Sequence, residues 1–111
     1  MRTITLIDPR GIRWSVDVAT SRAERMQGLL GREAMPERRA LLLPKARSVH
    51  SFGMRFPILA AFLRGDPEGD LRVVAVRELL PGRLTIPRLR ARHVLEAPAG
   101  SDLRPGDLLR R

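Results

Sequence analysis

Three ionisable side chains sit inside otherwise apolar stretches of this chain, and they are where chemistry would be sought first. His50 lies in Val49-His50-Ser51-Phe52-Gly53-Met54, Arg55 follows directly, and Glu96 lies in Val94-Leu95-Glu96-Ala97. A histidine and a carboxyl group can exchange protons near neutral pH. An arginine in an apolar segment needs a carboxylate or a cavity. The pocket residues expected from this segment are therefore His50, Phe52, Met54, Arg55, Phe56 and Glu96, with Glu96 paired to Arg55 or Arg32 as a structural ion pair. If 49–54 is a strand, His50, Phe52 and Met54 share one face and Ser51 and Gly53 the other.

The familiar catalytic constellations are missing. There is no cysteine, so thiolate nucleophiles, thiolate metal sites and disulfides are excluded. His93-x-x-Glu96 would share a helix face, but on a strand that odd spacing points the two side chains apart, and no zinc site is expected. Ser51 beside His50 has no third partner for a triad. Gly28-Leu29-Leu30-Gly31 lacks the spacing and the lysine of a phosphate-binding loop. No residue is assigned a catalytic role, and no metal or cofactor is expected.

The elements that must position these residues follow from patterning. Thr3 to Ile7 and Ile12 to Val18 read as two strands, the second alternating strictly, joined into a hairpin by Asp8-Pro9-Arg10-Gly11. Ser21-x-x-Glu24 is a capping box that opens the one helix, near residues 21–31. Ala23, Met26 and Leu30 form its apolar stripe, and Gly31 is its left-handed stop. Further strands are expected at Ala40–Leu43, Val49–Met54, Ile58–Leu63, Leu71–Leu79 and His93–Ala97. The 111 residues suit one domain spanning 1–111. The fold class is mainly β (α+β), a compact β-sandwich or barrel-like domain with one short helix.

The formal net charge is +9, and every basic residue but Lys45 is arginine. Asparagine and tyrosine are absent too, so GC-rich coding accounts for the choice of arginine over lysine. The densest stretch, Arg83, Arg88, Arg90 and Arg92, contains no acid and no aromatic platform for stacking bases. Nucleic acid is thus a possible partner but not the favoured one. The longest apolar run, Ile58 to Leu63, is far short of a membrane span. Asp8 and Pro9 interrupt the first apolar segment before it resembles a secretory signal, so a cytoplasmic location is expected.

Four patterns occur in order: Gly28-Leu29-Leu30-Gly31-Arg32; Val49 through Ile58 followed by Phe62-Leu63; Val94 through Gly100; and Pro105-Gly106-Asp107. Together they resemble the bacterial and archaeal family called domain of unknown function 192, over about residues 12 to 109. The resemblance implies a small β-rich fold with a short helix and no established activity. It marks Gly28, Gly31, Arg32, Gly100 and Asp107 as motif positions, read here as structural. Members often carry acids where this chain has Leu59 and Arg64. Any role of the first of those acids in metal binding or proton transfer is closed to this chain.

Three readings follow. The favoured one is a non-enzymatic domain that binds a small molecule or a protein through residues 49–58. The second is an enzyme, hydrolase-like or other, using His50, Arg55 and Glu96; it requires His50 and Glu96 to converge on one open pocket. The third is electrostatic binding of nucleic acid through Arg83–Arg92, which requires those arginines on one exposed face.

Overall fold

The computed structural model describes residues 1–85, 87–88 and 90–111, without the side chains of Arg22 and Met26. Seven strands and one helix follow in the order β1 (Arg2–Ile7), β2 (Arg13–Val18), α1 (Arg22–Gln27), β3 (Arg39–Pro44), β4 (Ile58–Gly65), β5 (Leu71–Leu79), β6 (His93–Pro98) and β7 (Leu108–Leu109). They form one sheet ordered β1-β2-β3-β6-β4-β5-β7. Only β2 and β3 run parallel; the other neighbours are antiparallel. A paired bridge between Ile7 and Arg110 joins the two edges, so the sheet is a nearly closed barrel. Closure removes the open edges that would otherwise template further strands.

The β1–β2 hairpin is organised by Asp8, whose carboxylate accepts from the backbone N–H of Arg10 and of Ile12 and from the Trp14 indole N–H. The alternation along β2 points Trp14, Val16 and Val18 inward. There they meet Leu6, Leu42, Leu59, Leu63, Leu71 and Leu95 in the barrel interior.

β3, β4 and β6 do not alternate. Leu41 and Leu43, Ile58, Ala60 and Phe62, and Val94 point outward and are nevertheless buried. A second apolar layer covers them, built from Ala19, Leu29, Val49, Met54, Phe56 and Ala91. Burial on both faces explains why Ala40–Leu43 and Ile58–Leu63 are uninterrupted apolar runs. Glu96 is the one carboxylate among the buried positions of these three strands.

Two expectations are corrected. The helix is shorter than 21–31. Ser21 and Glu24 form the capping box, but α1 ends at Gln27 with Gly28 (φ 47°) as its C-cap, and Gly31 (φ 83°) lies in the turn beyond. Ala23 and Leu30 are exposed, and Leu29 enters the outer layer in their place. The Met26 side chain lies outside the described residues. Secondly, 49–54 is not a strand. His50 makes a single bridge to Leu84, and the chain then turns, with Gly53 at φ 79°. No described helix is long and apolar enough to cross a membrane.

Candidate functional site

The turn at residues 50–53 is held to the turn at 80–84 by the hydroxyl and the backbone of Ser51. Ser51 is fully buried; its Oγ donates to the Leu80 carbonyl and accepts from the Arg83 N–H at 2.9 Å. Its backbone N–H donates to the Arg83 carbonyl, and its carbonyl accepts from the Gly82 N–H. Beside it the buried Thr85 Oγ1 accepts from the Val49 N–H at 2.9 Å. Neither role is visible in the sequence, where Ser51 beside His50 lacks a third partner for a triad and nothing marks it as a clamp. Ser51→Ala removes the hydroxyl from two part-buried hydrogen bonds, and the expected cost is about 1 kcal/mol. The shift of the urea unfolding midpoint at constant slope measures it.

The clamped turn roofs a cavity of about 70 Å³ lined by residues from three separate stretches. Leu29, Val49 and Met54 are its buried apolar walls, and Arg25, Leu30, His50 and Phe52 line its solvent side. The His50 and Phe52 rings stack at 5.2 Å. Glu96 reaches the cavity from the outward face of β6, between Leu41 of β3 and Ala60 of β4. It is only 3% exposed, so it forms the floor.

Glu96 is not paired as expected. Arg55 is exposed and lies 3.7 Å from Glu33, an even more exposed partner. Among the described residues, no ion pair or side-chain hydrogen bond reaches the Glu96 carboxyl group or links it to Arg32. Burial alone pushes its pKa up, to about 7. The rule that buried ions are paired has an alternative outcome, in which the group keeps its proton instead. No fully enclosed side-chain nitrogen or oxygen among the described residues lacks a partner. Glu96, which has no partner among the described residues, lines the cavity.

Of the expected pocket residues, His50, Phe52, Met54 and Glu96 line this one cavity. Arg55 and Phe56 do not; Arg55 faces solvent and Phe56 packs in the outer layer. Gly28 lines the cavity as the helix cap. Gly100 (φ 81°) turns the chain after β6 and donates its N–H to Glu78. Asp107 accepts from the Arg104 N–H and from the Arg10 guanidinium beside the barrel seam. Leu59 is packed in the barrel interior and Arg64 is exposed, so neither adds to the cavity. No group of three or more potential metal ligands occurs among the described residues.

Arg83, Arg88, Arg90 and Arg92 are all exposed but are anchored at different places. Arg83 is tied to Ser51, whereas the Arg88 N–H donates to the Arg47 carbonyl and its guanidinium lies 5.5 Å from the Phe62 ring centroid. Residues 86 and 89 of that stretch lie outside the described residues.

The profile of the domain of unknown function 192 family, described as Uncharacterized ACR, matches residues 5–110. The crystal structure of a protein from Sinorhizobium meliloti 1021, described as a candidate transcription regulator, is 25% identical with a TM-score of 0.75; the match covers 96% of this chain and 90% of that one. A protein of unknown function from Novosphingobium aromaticivorans DSM 12444 is 20% identical with a TM-score of 0.78, covering 98% of this chain and 84% of that one. Among curated proteins, none matches this chain.

Proposed function

Because this chain belongs to the domain of unknown function 192 family, which passes on no activity, we propose from its own cavity that it is a binding domain for a protein partner. The observation that carries the reading is the setting of the cavity mouth. Leu30, Phe52, Leu80 and Leu84 are, with Met1, the large apolar side chains exposed among the described residues. The first four gather around one turn. Leu84 bridges to His50, the Leu80 carbonyl is held by Ser51, and Leu30 packs against Gly53. Apolar groups scattered singly need no explanation, whereas a contiguous patch beside a cavity marks a contact surface.

The cavity sets the chemistry of the occupant. At about 70 Å³ it holds a few waters or the end of one side chain, far less than the ~300–1,000 Å³ of small-molecule sites. Its inner walls, Leu29, Val49 and Met54, are apolar, Arg25 and His50 stand at its solvent side, and its floor is a carboxyl group that no cation pairs with among the described residues. A lysine from the partner fits this arrangement: the aliphatic stem lies along Leu29, Val49 and Met54, and the ammonium meets Glu96. The surrounding apolar side chains cover Phe52 and Leu84.

A proton-transfer enzyme is the second reading, favoured by His50 and Glu96 lining the same cavity. It requires room for a whole substrate next to Glu96, which the volume does not provide.

The test is a selection of random peptides on the immobilised full chain, with a Phe52→Ser/Leu84→Ser variant as the subtractive control. Both side chains are exposed, so the variant retains its core. The reading expects peptides that bind the wild type alone and share a lysine flanked by apolar residues. Equal recovery on both proteins, or peptides without that lysine, contradicts it.

A further inference from the structure

A second concavity, independent of the reading above, opens at the start of β6. Its volume is about 560 Å³, and Lys45, Arg47, Gly65, Arg92 and His93 line it. His93 and Glu96 are three positions apart, on the order of 10 Å along a strand, so the two sites are distinct. Its lining contains three cations and no carboxylate. Lys45, Arg47 and Arg92 are exposed, and no carboxylate pairs with any of them among the described residues.

The convergence is built rather than accidental. His93 is buried, and its Nδ1 accepts from the Lys45 N–H at 3.0 Å. The proton must then sit on Nε2, which donates to the Gly65 carbonyl at 3.0 Å. One imidazole thus fastens the end of β3 to the end of β4. The Arg92 N–H donates to the Leu63 carbonyl at 2.7 Å, and the Arg47 carbonyl accepts from Arg88 at 3.0 Å. Lys45 lines the cleft from a left-handed backbone (φ 65°), a conformation that residues with side chains rarely adopt. Held outliers of this kind concentrate at functional sites.

Like charges gathered in one cleft repel one another, and an anion relieves that repulsion. Two guanidinium forks and one ammonium match the oxygens of a phosphate, which accepts from both types of donor. The cleft volume is that of sites for nucleotide-sized ligands. We infer that the Lys45–Arg47–Arg92 cleft binds a phosphate group.

Amide and arginine side-chain NMR spectra of the full chain test this with two probes, inorganic pyrophosphate and a single-stranded DNA of about twelve nucleotides. Each is titrated at low salt and at about 200 mM salt. The comparison protein is Arg47→Ala/Arg92→Ala, in which both changes are exposed and the spectrum itself reports folding. Shifts at Lys45, Arg47, Arg92 and His93 of the wild type, with an affinity read at Lys45 and His93 that is about tenfold or more weaker in the variant, are the expected result. If pyrophosphate binds more tightly, the phosphate belongs to a small ligand. If DNA binds more tightly and loses affinity steeply with salt, it belongs to a polymer. Shifts spread over arginines around the whole surface, shifts undiminished in the variant, or no shifts at all overturn the inference.

Discussion

Glu96→Gln makes this protein more stable than the wild type above pH 8, with an unfolding temperature higher by on the order of 10 °C, and leaves the two similar at pH 5. The physical basis is the buried carboxyl on the cavity floor, which has no partner among the described residues. Its pKa is about 4.5 when solvated and about 7 in the folded protein, raised by burial. The folded state therefore holds a proton that the unfolded state has lost between those values. Stability must then fall as pH rises across that interval. The benefit of the protonated form is fully present below pH 4.5 and is lost as pH passes through 7. Each unit of difference is about 1.4 kcal/mol, so ionisation of the folded state costs about 3 kcal/mol. Glutamine is neutral throughout and removes this dependence. Calorimetry or circular dichroism melts of both proteins between pH 5 and 9 measure it. Parallel curves for the two proteins would show that Glu96 titrates normally.

Gly65→Ala costs about 3 kcal/mol or more, and Gly11→Ala about 1 kcal/mol. Both glycines have positive φ, 123° and 82°. Around Gly11 a methyl group would meet nothing within 4 Å, so only the backbone preference is lost. At Gly65 it would lie 2.4 Å from the Asp70 carbonyl oxygen and 3.3 Å from the Leu71 Cα. Those are backbone atoms of the turn that joins β4 to β5, where the Asp66 N–H donates to that same Asp70 carbonyl. Relief requires the hairpin to open. The Gly65 carbonyl is also an anchor of His93, so the corner carrying Lys45 loosens with it. Urea unfolding of the two variants side by side separates the clash from the φ preference. Equal midpoints for the two would mean that the β4–β5 turn yields freely.

Much of the barrel is legible in the sequence because period-two patterning is a local signal. Trp14, Val16 and Val18 alternate, and 71–79 lies between two turn clusters; both are strands. The capping box likewise needs only Ser21 and Glu24. The helix end is less legible, since Gly28 and Gly31 are equivalent in composition and both adopt positive φ. The first reverses the chain, which lets Leu29 enter the outer layer and leaves Leu30 outside. The 49–54 segment alternates like a strand, but its hydrogen bonds go to the 80–85 turn through Ser51 and Thr85.

At the cavity, His50, Phe52, Met54 and Glu96 are found together because the expected pocket drew on residues that interrupt or line apolar runs. The partner assigned to Glu96 is wrong for a physical reason. A buried carboxyl can satisfy its surroundings by keeping its proton, and nothing in a one-dimensional pattern distinguishes that from an ion pair. The basic cleft is equally hidden. Arg92 is distant in sequence from Lys45 and Arg47, and the buried imidazole of the adjacent His93 holds the two stretches together through its bond from the Lys45 N–H.

The central claim is that Glu96 floors an open cavity as a carboxyl group unpaired among the described residues, whose proton leaves near neutral pH. Its most direct measurement is the side-chain carboxyl ¹³C shift of Glu96 as a function of pH, assigned by comparison with Glu96→Gln. The account predicts a midpoint near 7. A midpoint at the ordinary glutamate value of about 4.3 would mean that the group is solvated or paired, and would contradict it.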